Sequence, residues 1–184
     1  YFCLLSADRA ARLQLEQQPE ITRMPLTEAI LLIQNLQLGN IKQFLSFTPD
    51  PPTSQAVAES VLQLHDIGAL ERETDELTPL GRKLAQISFV HPCIGKLLIT
   101  GALLAVRDDA LTIAAALCVK PILTLPDEKE RAQATAMHRK LSSESFSDHH
   151  SVLCAYSHWI TARNESGEVG GTEYASAHFL SETN

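Results

Sequence analysis

Apolar residues recur every three or four positions along most of this chain, which is the spacing of an amphipathic helix. In residues 19–39, PEITRMPLTEAILLIQNLQLG, the apolar positions at this spacing are Leu26, Ile30, Ile33 and Leu36. Pro25 suits the first turn of such a helix, and Gly39 suits the position just after its end. The pattern therefore predicts a helix between these two residues.

The next two apolar stretches predict helices with side-chain caps. Asn40 can cap a short helix whose apolar positions are Ile41, Phe44 and Leu45. After the proline-rich turn at 48–53, Thr53 or Ser54 can cap a longer helix that ends at Gly68. The positions on one face of that longer helix are Val57, Val61 and Leu64.

Residues 68–85, GALERETDELTPLGRKLA, predict a compact hairpin between two helices. Leu70 and Leu77 flank the polar stretch 71–76, as two short strands flank a charged tip. Thr78 suits the N-cap of the following helix, and Pro79 suits its first position. The apolar positions of that helix are Leu80, Leu84 and Ile87. Helices around such a hairpin make a winged helix, to which we assign residues 19–90.

The second half of the chain predicts helices alone, since no strand pattern follows Pro92. The expected helices cover 92–106, 110–119, 126–140 and 147–163, with a last one after Thr172. Asp108 or Asp109 is expected to cap the second helix, which is hydrophobic all round and should therefore be buried. Residues 164–171, NESGEVGG, should form a flexible loop. The expected fold class is mainly α, with a short β-hairpin wing in the first domain and a helical bundle over residues 91–184.

The charge distribution disfavours a DNA-reading role. The 184 residues carry a formal net charge of −7, from 15 basic and 22 acidic residues. A winged helix that reads DNA usually places the helix before the wing in the major groove. Here that helix, 54–66, contains no Lys or Arg, and the tip 71–76 carries four acidic residues and one Arg. Because carboxylates repel phosphate, a structural or protein-docking role is preferred.

Cysteine usage and hydropathy limit the cellular locations that fit the protein. The four cysteines, Cys3, Cys93, Cys118 and Cys154, form no CxxC pair. Buried thiols in an intracellular protein are the simplest interpretation, and nucleus or cytoplasm stays open. The best apolar run, 94–106, has 13 residues and contains Lys96. A bilayer span needs roughly 20 residues, so no membrane contact is expected.

No residue set predicts catalysis or metal binding. His150, Cys154 and His158 share a helical face, but a structural zinc site needs four ligands and no second pair has ligand spacing. The adjacent Ser147, Asp148 and His149 point in different directions on a helix, so they cannot form a triad. No phosphate loop or HExxH motif is present. We therefore expect no catalytic residue, no metal and no cofactor in this segment.

Four residues are candidates for contact with RNA: Lys96, His149, Trp159 and Arg163. Cationic side chains can hold phosphate, and an indole can stack on a base. The alternatives are that a helical Trp packs in the core and that Lys96 extends its amine to solvent from an apolar helix.

Six segments taken together resemble the C-terminal region of DEAH-box/RNA-helicase-A-type RNA helicases. They are PEITRMPL (19–26), FLSFTPDPP (44–52), GALERETDELTPLGRKLA (68–85), GKLLITGALL (95–104), LTIAAAL (111–117) and FSDHHSVLCAYSHWITAR (146–163). Departures are His150, where the family usually has an apolar residue, and Pro121-Ile122 in place of Pro-Phe. The resemblance implies that 91–184 is a truncated ratchet-like helicase-associated domain. It further implies that 1–18, with the strand-like YFCLLS, is the end of a second RecA-like domain and a connector.

The resemblance also implies a function. The parent protein would be an ATP-dependent RNA helicase that uses ATP and Mg on its RecA-like domains. This segment would brace that motor and form part of the single-stranded RNA channel. Partners would be single-stranded or structured RNA, the RecA-like domains of the same chain and a G-patch activator on the winged helix. The alternative is a stand-alone winged-helix protein-interaction scaffold or transcription factor.

Overall fold

The computed structural model describes residues 4–13, 16–142 and 145–181. Within them the α-helices are α1 (Ala7–Ala11), α2 (Thr27–Asn35), α3 (Ile41–Ser46), α4 (Ser54–Asp66), α5 (Pro79–Gln86), α6 (Pro92–Leu103), α7 (Arg107–Cys118), α8 (Glu128–Leu141) and α9 (Asp148–Ala177). The chain divides into two compact units, Tyr1–Pro92 and Cys93–Asn184. Of the strand expected at 1–6, residues 4–6 are not in strand conformation and 1–3 lie outside the described residues.

The first unit is built on α2, which packs against α3, α4 and α5. The expected stripe on α2 is confirmed for Leu26, Ile30 and Ile33, each at most 4% exposed. Leu36 is a correction, since it is 56% exposed. The helix ends at Asn35, so Leu36 has already turned out of the stripe.

Three predicted N-caps of the first unit are confirmed. The Asn40 Oδ1 accepts a hydrogen bond from the Gln43 amide at 3.1 Å, and the Thr53 Oγ1 accepts one from the Ala56 amide at 3.2 Å. The Thr78 Oγ1 accepts one from the Gly81 amide at 2.9 Å. Each cap satisfies an amide that has no partner within its own helix, so these side chains fix where α3, α4 and α5 begin.

The wing is smaller than the expected β-hairpin. Leu70 and Leu77 form one isolated antiparallel bridge, and the described residues contain no strand. The Asp75 amide donates to the Glu71 carbonyl at 3.0 Å, and Asp75 adopts a left-handed φ of 58°. Helix α4 ends at Asp66 and α5 begins at Pro79, so few residues remain on either side of the turn to pair. The hairpin is therefore a loop closed by one bridge.

In the second unit, α7 and α8 both pack against α9. The expected burial of α7 is wrong: Ala110 and Ala114 are buried, whereas Leu111 and Leu117 are about half exposed. The buried positions of α7 are small residues, with Ala110 close to Gly101 of α6, and the larger side chains are more exposed. The expected caps Asp108 and Asp109 are also corrected, because α7 begins earlier, at Arg107, and places both in its first turn.

Helix α9 contains a chain reversal. Ser147 caps its start as predicted, accepting from the His150 amide at 3.3 Å. Gly167 has φ 69° and ψ −158°, outside helical geometry. A Cβ on Gly171 would lie 3.2 Å from Trp159 Nε1, whereas twelve residues of straight helix would separate them by about 18 Å. We call residues 148–166 the first arm and residues 168–177 the second arm, which folds back on the first.

The expected loop at 164–171 is therefore wrong, because only Gly167 leaves helical geometry. Thr172 lies inside the second arm and caps nothing. Gly170 and Gly171 are buried between the arms, and a Cβ on Gly170 would lie 2.6 Å from the Ala162 carbonyl oxygen. These glycines allow the two arms to pack closely. A Gly-rich composition alone does not distinguish a closely packed helix pair from a flexible loop.

Candidate nucleic-acid interface

The first arm of α9 carries a row of two rings and one guanidinium. Tyr156, Trp159 and Arg163 are spaced three and four residues apart, so they lie on one helical face. The Tyr156 and Trp159 ring centroids are 6.1 Å apart with planes inclined by 26°. The Arg163 Cζ lies 5.3 Å from the centroid of the Trp159 ring, within cation–π distance. Tyr156 was missed from sequence, although its spacing from Trp159 could have indicated it.

This row lines a cleft of about 740 Å³ in the second unit. The facing wall comes from α7 and the segment after it, through Leu111, Ala115, Ala116, Val119 and Ile122. The second arm adds Glu168 and Thr172. The exposed apolar face of α7 is thus one wall of a groove, and the opposite wall carries the rings and the cation.

Glu168 is the acidic residue that the reversal brings to this cleft. Its Oε1 lies 3.9 Å from the Arg163 Nη2, and its side chain is 91% exposed. The Arg163 side chain is 48% exposed, so solvent reaches the guanidinium. An exposed pair at this distance is weak, at about 0–1 kcal/mol. Arg163 can therefore exchange Glu168 for another anion.

The four predicted RNA contacts are not all brought together. Trp159 and Arg163 meet in the cleft, where Trp159 is half-buried and so is neither a core residue nor a fully exposed one. Lys96 is half-buried on α6 and does not line the cleft. His149 is exposed in the first turn of α9, ten residues before Trp159 and so about 15 Å along the helix axis.

The residues considered for metal binding make other contacts. The Cys154 Sγ lies 3.8 Å from the His150 Nε2, but the His150 Nδ1 lies 3.1 Å from the Ser142 carbonyl oxygen. His158 meets the Tyr174 ring edge-on at 6.3 Å. In residues 4–13, 16–142 and 145–181, no group of three or more His, Cys, Asp or Glu side chains could hold a metal ion.

The cysteines correct one expectation. Cys93 and Cys118 are exposed and Cys154 is half-buried, whereas buried thiols were expected. Cys3 lies outside the described residues. Over the described part of the chain, every helix is too short or too polar to cross a membrane.

Tyr174, on the second arm, is held between two histidines. Its ring stacks on His178 with centroids 3.9 Å apart, and its hydroxyl is buried with no hydrogen-bond partner among the described residues. Burial raises the pKa of the Tyr174 phenol, and the neighbouring Cys154 raises that pKa further. The edge-on contact with His158 ties the second arm to the first.

The surface of the winged-helix unit around α4 is acidic. Its histidine is engaged, since the His65 Nε2 lies 2.8 Å from the Asp75 Oδ1 and the Nδ1 lies 3.3 Å from the Leu70 carbonyl oxygen. The one basic residue of the tip, Arg72, lies 3.2 Å from Asp66. The exposed carboxylates of this surface are Glu59, Asp66, Glu71, Glu73 and Glu76. No free cation of α4 or the tip therefore faces outward to meet phosphate.

Two family models match the chain in the same order as its two units. The model described as helicase-associated domain (HA2), winged-helix, matches residues 60–88, and the one described as helicase-associated domain (HA2), ratchet-like, matches residues 91–152. The ATP-dependent DNA/RNA helicase DHX36 of Mus musculus is 42% identical over 173 residues, which is 94% of this chain. The chain belongs to the DEAH-box RNA helicase family.

Other members of the DEAH-box family show slightly lower similarity over nearly the same part of the chain. The DExH-box ATP-dependent RNA helicase DExH3 of Arabidopsis thaliana is 38% identical over 165 residues, or 90% of this chain. The human ATP-dependent RNA helicase DHX29 is 38% identical over 170 residues, again 90% of this chain. The chain spans 17%, 13% and 12% of the mouse, Arabidopsis and human proteins respectively. It corresponds to the helicase-associated region of these much longer relatives.

Proposed function

We propose that this chain is a non-catalytic C-terminal module of an ATP-dependent RNA helicase. It braces the RecA-like motor and forms part of the single-stranded RNA channel. Residues 1–18 end the second RecA-like domain and connect it to the winged helix at 19–90, and 91–184 form the ratchet-like domain. The observation that carries the proposal is the row of Tyr156, Trp159 and Arg163 along a cleft of the second unit.

The chemistry of that cleft suits an unpaired strand. A base can stack on Tyr156, which is exposed, or insert beside Trp159, because every base has a π-face and such stacking is independent of sequence. Arg163 can hold a phosphate with its planar, bidentate donors. The apolar wall of α7 excludes water from the base without hydrogen-bonding its edge. Such a contact binds a strand independently of its base sequence, as a translocating enzyme requires.

The reaction itself belongs to other parts of the parent protein. The relatives are named ATP-dependent helicases, and the RecA-like domains of the parent protein would bind ATP and Mg. The contacts of this chain with the strand would couple closure of the RecA-like domains to movement along the RNA. Purified as these 184 residues, it should show no ATP turnover above buffer. Measurable turnover that survives repurification would contradict the non-catalytic assignment.

The acidic surface of the winged-helix unit favours a protein partner over nucleic acid. Carboxylates at Glu59 and along the wing tip would repel phosphate and attract a basic segment. We infer that a G-patch activator or a RecA-like domain of the same chain docks there. A stand-alone scaffold or transcription factor would use the same surface, but it would not need the cleft of the second unit. An intracellular location follows from the helicase role, with the compartment open.

The test is the affinity of the chain for a fluorescent, unpaired oligouridine, measured by anisotropy at low ionic strength. Trp159→Ala and Arg163→Ala should each weaken binding by roughly fivefold to a hundredfold, the range of one lost stacking or charged contact. The matched control is Tyr174→Phe, which changes an aromatic residue of the same hairpin outside the cleft lining. Equal affinities in all four proteins would refute the proposed strand contact.

A further inference from the structure

Arg163 already has an anion beside it in the structure. The Glu168 carboxylate lies 3.9 Å from the guanidinium, in the same cleft that the proposed function assigns to the RNA strand. Glu168 is five residues beyond Arg163, and on an uninterrupted helix a separation of three or four residues is what brings side chains together. The reversal at Gly167 is what brings the carboxylate back to Arg163.

We propose that Glu168 is a built-in competitor of the RNA phosphate for Arg163. This inference rests on the proposed function and specifies how the same site is regulated. Phosphate and Glu168 compete for Arg163, and Glu168 returns to it when the strand leaves. Glu168 thereby lowers the affinity of the cleft for the strand, which allows the strand to be released at each translocation step.

The geometry fits a displaceable anion. A charge-assisted hydrogen bond between Arg and a carboxylate is about 2.7–2.9 Å long, so the contact at 3.9 Å is loose. With 91% of its side chain exposed, Glu168 can rotate into solvent without leaving a buried charge. Arg163 keeps its position when this happens, because its guanidinium also lies over the Trp159 ring. The cation is thus held in place by the ring and screened by the carboxylate.

The direction of the effect follows from these contacts. Removing the Glu168 charge ends the competition and also ends its repulsion of an incoming phosphate. Exposed ion pairs are weak, so the expected gain in affinity for unpaired RNA is about threefold to fivefold. The gain should shrink as salt is added, because screening weakens interactions between exposed charges.

The decisive variant is Glu168→Gln in the 184-residue chain, with oligouridine affinity measured by anisotropy at low ionic strength. The matched control is Glu173→Gln, which removes the same charge from an exposed position of the same arm outside the cleft lining. Glu168→Gln should raise affinity about threefold to fivefold, and Glu173→Gln should change it less than twofold. In an Arg163→Ala background the Glu168→Gln gain should fall below twofold as well.

The outcomes separate this inference from the function on which it rests. Equal gains from Glu168→Gln and Glu173→Gln would show a general charge effect and would overturn the role of Glu168. A full gain that persists in the Arg163→Ala background would overturn it too, since the competition requires Arg163. In both cases a loss of affinity in Trp159→Ala would leave the proposed strand contact standing. If Trp159→Ala and Arg163→Ala both bind as tightly as the unaltered chain, the proposed strand contact itself fails.

Discussion

Gly81 offers a sharp test of how the wing is attached to its domain. It is the third residue of α5, where its amide donates to the Thr78 cap at 2.9 Å. A Cβ at this position would overlap the Ala69 carbonyl oxygen, and it would lie 3.0 Å from the Ala69 carbonyl carbon and the Leu77 Cδ2. The Ala69 carbonyl also accepts a hydrogen bond from the Thr78 amide at 3.0 Å. Gly81→Ala therefore pushes the wing away from α5.

The size of the effect can be worked out from these contacts. Forcing a methyl group into a packed site costs about 1–3 kcal/mol. Displacing the Ala69 carbonyl also weakens its hydrogen bond with Thr78, which is worth about 1 kcal/mol. Against this, alanine is favoured over glycine in a helix by about 1 kcal/mol. The expected net loss is about 1–3 kcal/mol of unfolding free energy.

Thermal and urea unfolding, followed by circular dichroism, measure this loss. At about 2–4 °C per kcal/mol for a chain of this size, Gly81→Ala should lower Tm by roughly 2–12 °C. The control is Arg82→Ala, an exposed position of the same helix, which should leave Tm nearly unchanged. An unchanged or raised Tm in Gly81→Ala would mean that helix propensity dominates and that the close approach to Ala69 is wrong.

Three further outcomes are expected. Asp75→Asn should lower the unfolding free energy by about 1 kcal/mol in urea titrations, because it weakens the 2.8 Å contact with His65 while Asn tolerates the left-handed φ of 58°. An unchanged unfolding free energy would show that this contact does not stabilise the wing. Burial raises the pKa of Tyr174 above 10.0, so the unfolding free energy should fall as pH rises above 10.0, and it should fall less steeply in Tyr174→Phe. Urea titrations at several pH values would measure both trends, and parallel pH profiles for the two proteins would contradict that burial. In the complete helicase, Lys96→Ala should weaken strand engagement and spare the fold, and unchanged RNA-stimulated ATPase and unwinding would remove Lys96 from the site.

Much of the first unit could be predicted from sequence because its signals are local. Asn40, Thr53 and Thr78 cap the helices that follow them, and a cap depends only on the next three residues. The size of the wing could not be predicted in the same way. One bridge or two strands depends on how many of the residues between α4 and α5 extend and pair, and only Leu70 and Leu77 do so.

The candidate site was only partly predictable for the same kind of reason. Trp159 and Arg163 are one helical turn apart, so sequence alone could group them. The wall opposite them could not be foreseen, because α7 is almost entirely apolar after Asp109 and its composition does not say which side is exposed. Glu168 reaches Arg163 through the reversal at Gly167, and NESGEVGG is equally typical of a flexible loop. Contacts made by tertiary folding were the ones that composition and spacing missed.

The proposed strand contact includes stacking beside the ring of Trp159, and this residue is the single tryptophan of the chain. Its intrinsic fluorescence therefore reports on the site without a label. At low ionic strength, oligouridine should quench that fluorescence to saturation, with the same Kd as anisotropy gives and with a weaker effect from duplex RNA. If anisotropy shows the oligonucleotide fully bound while the fluorescence of Trp159 stays unchanged, RNA binds elsewhere and the account is contradicted.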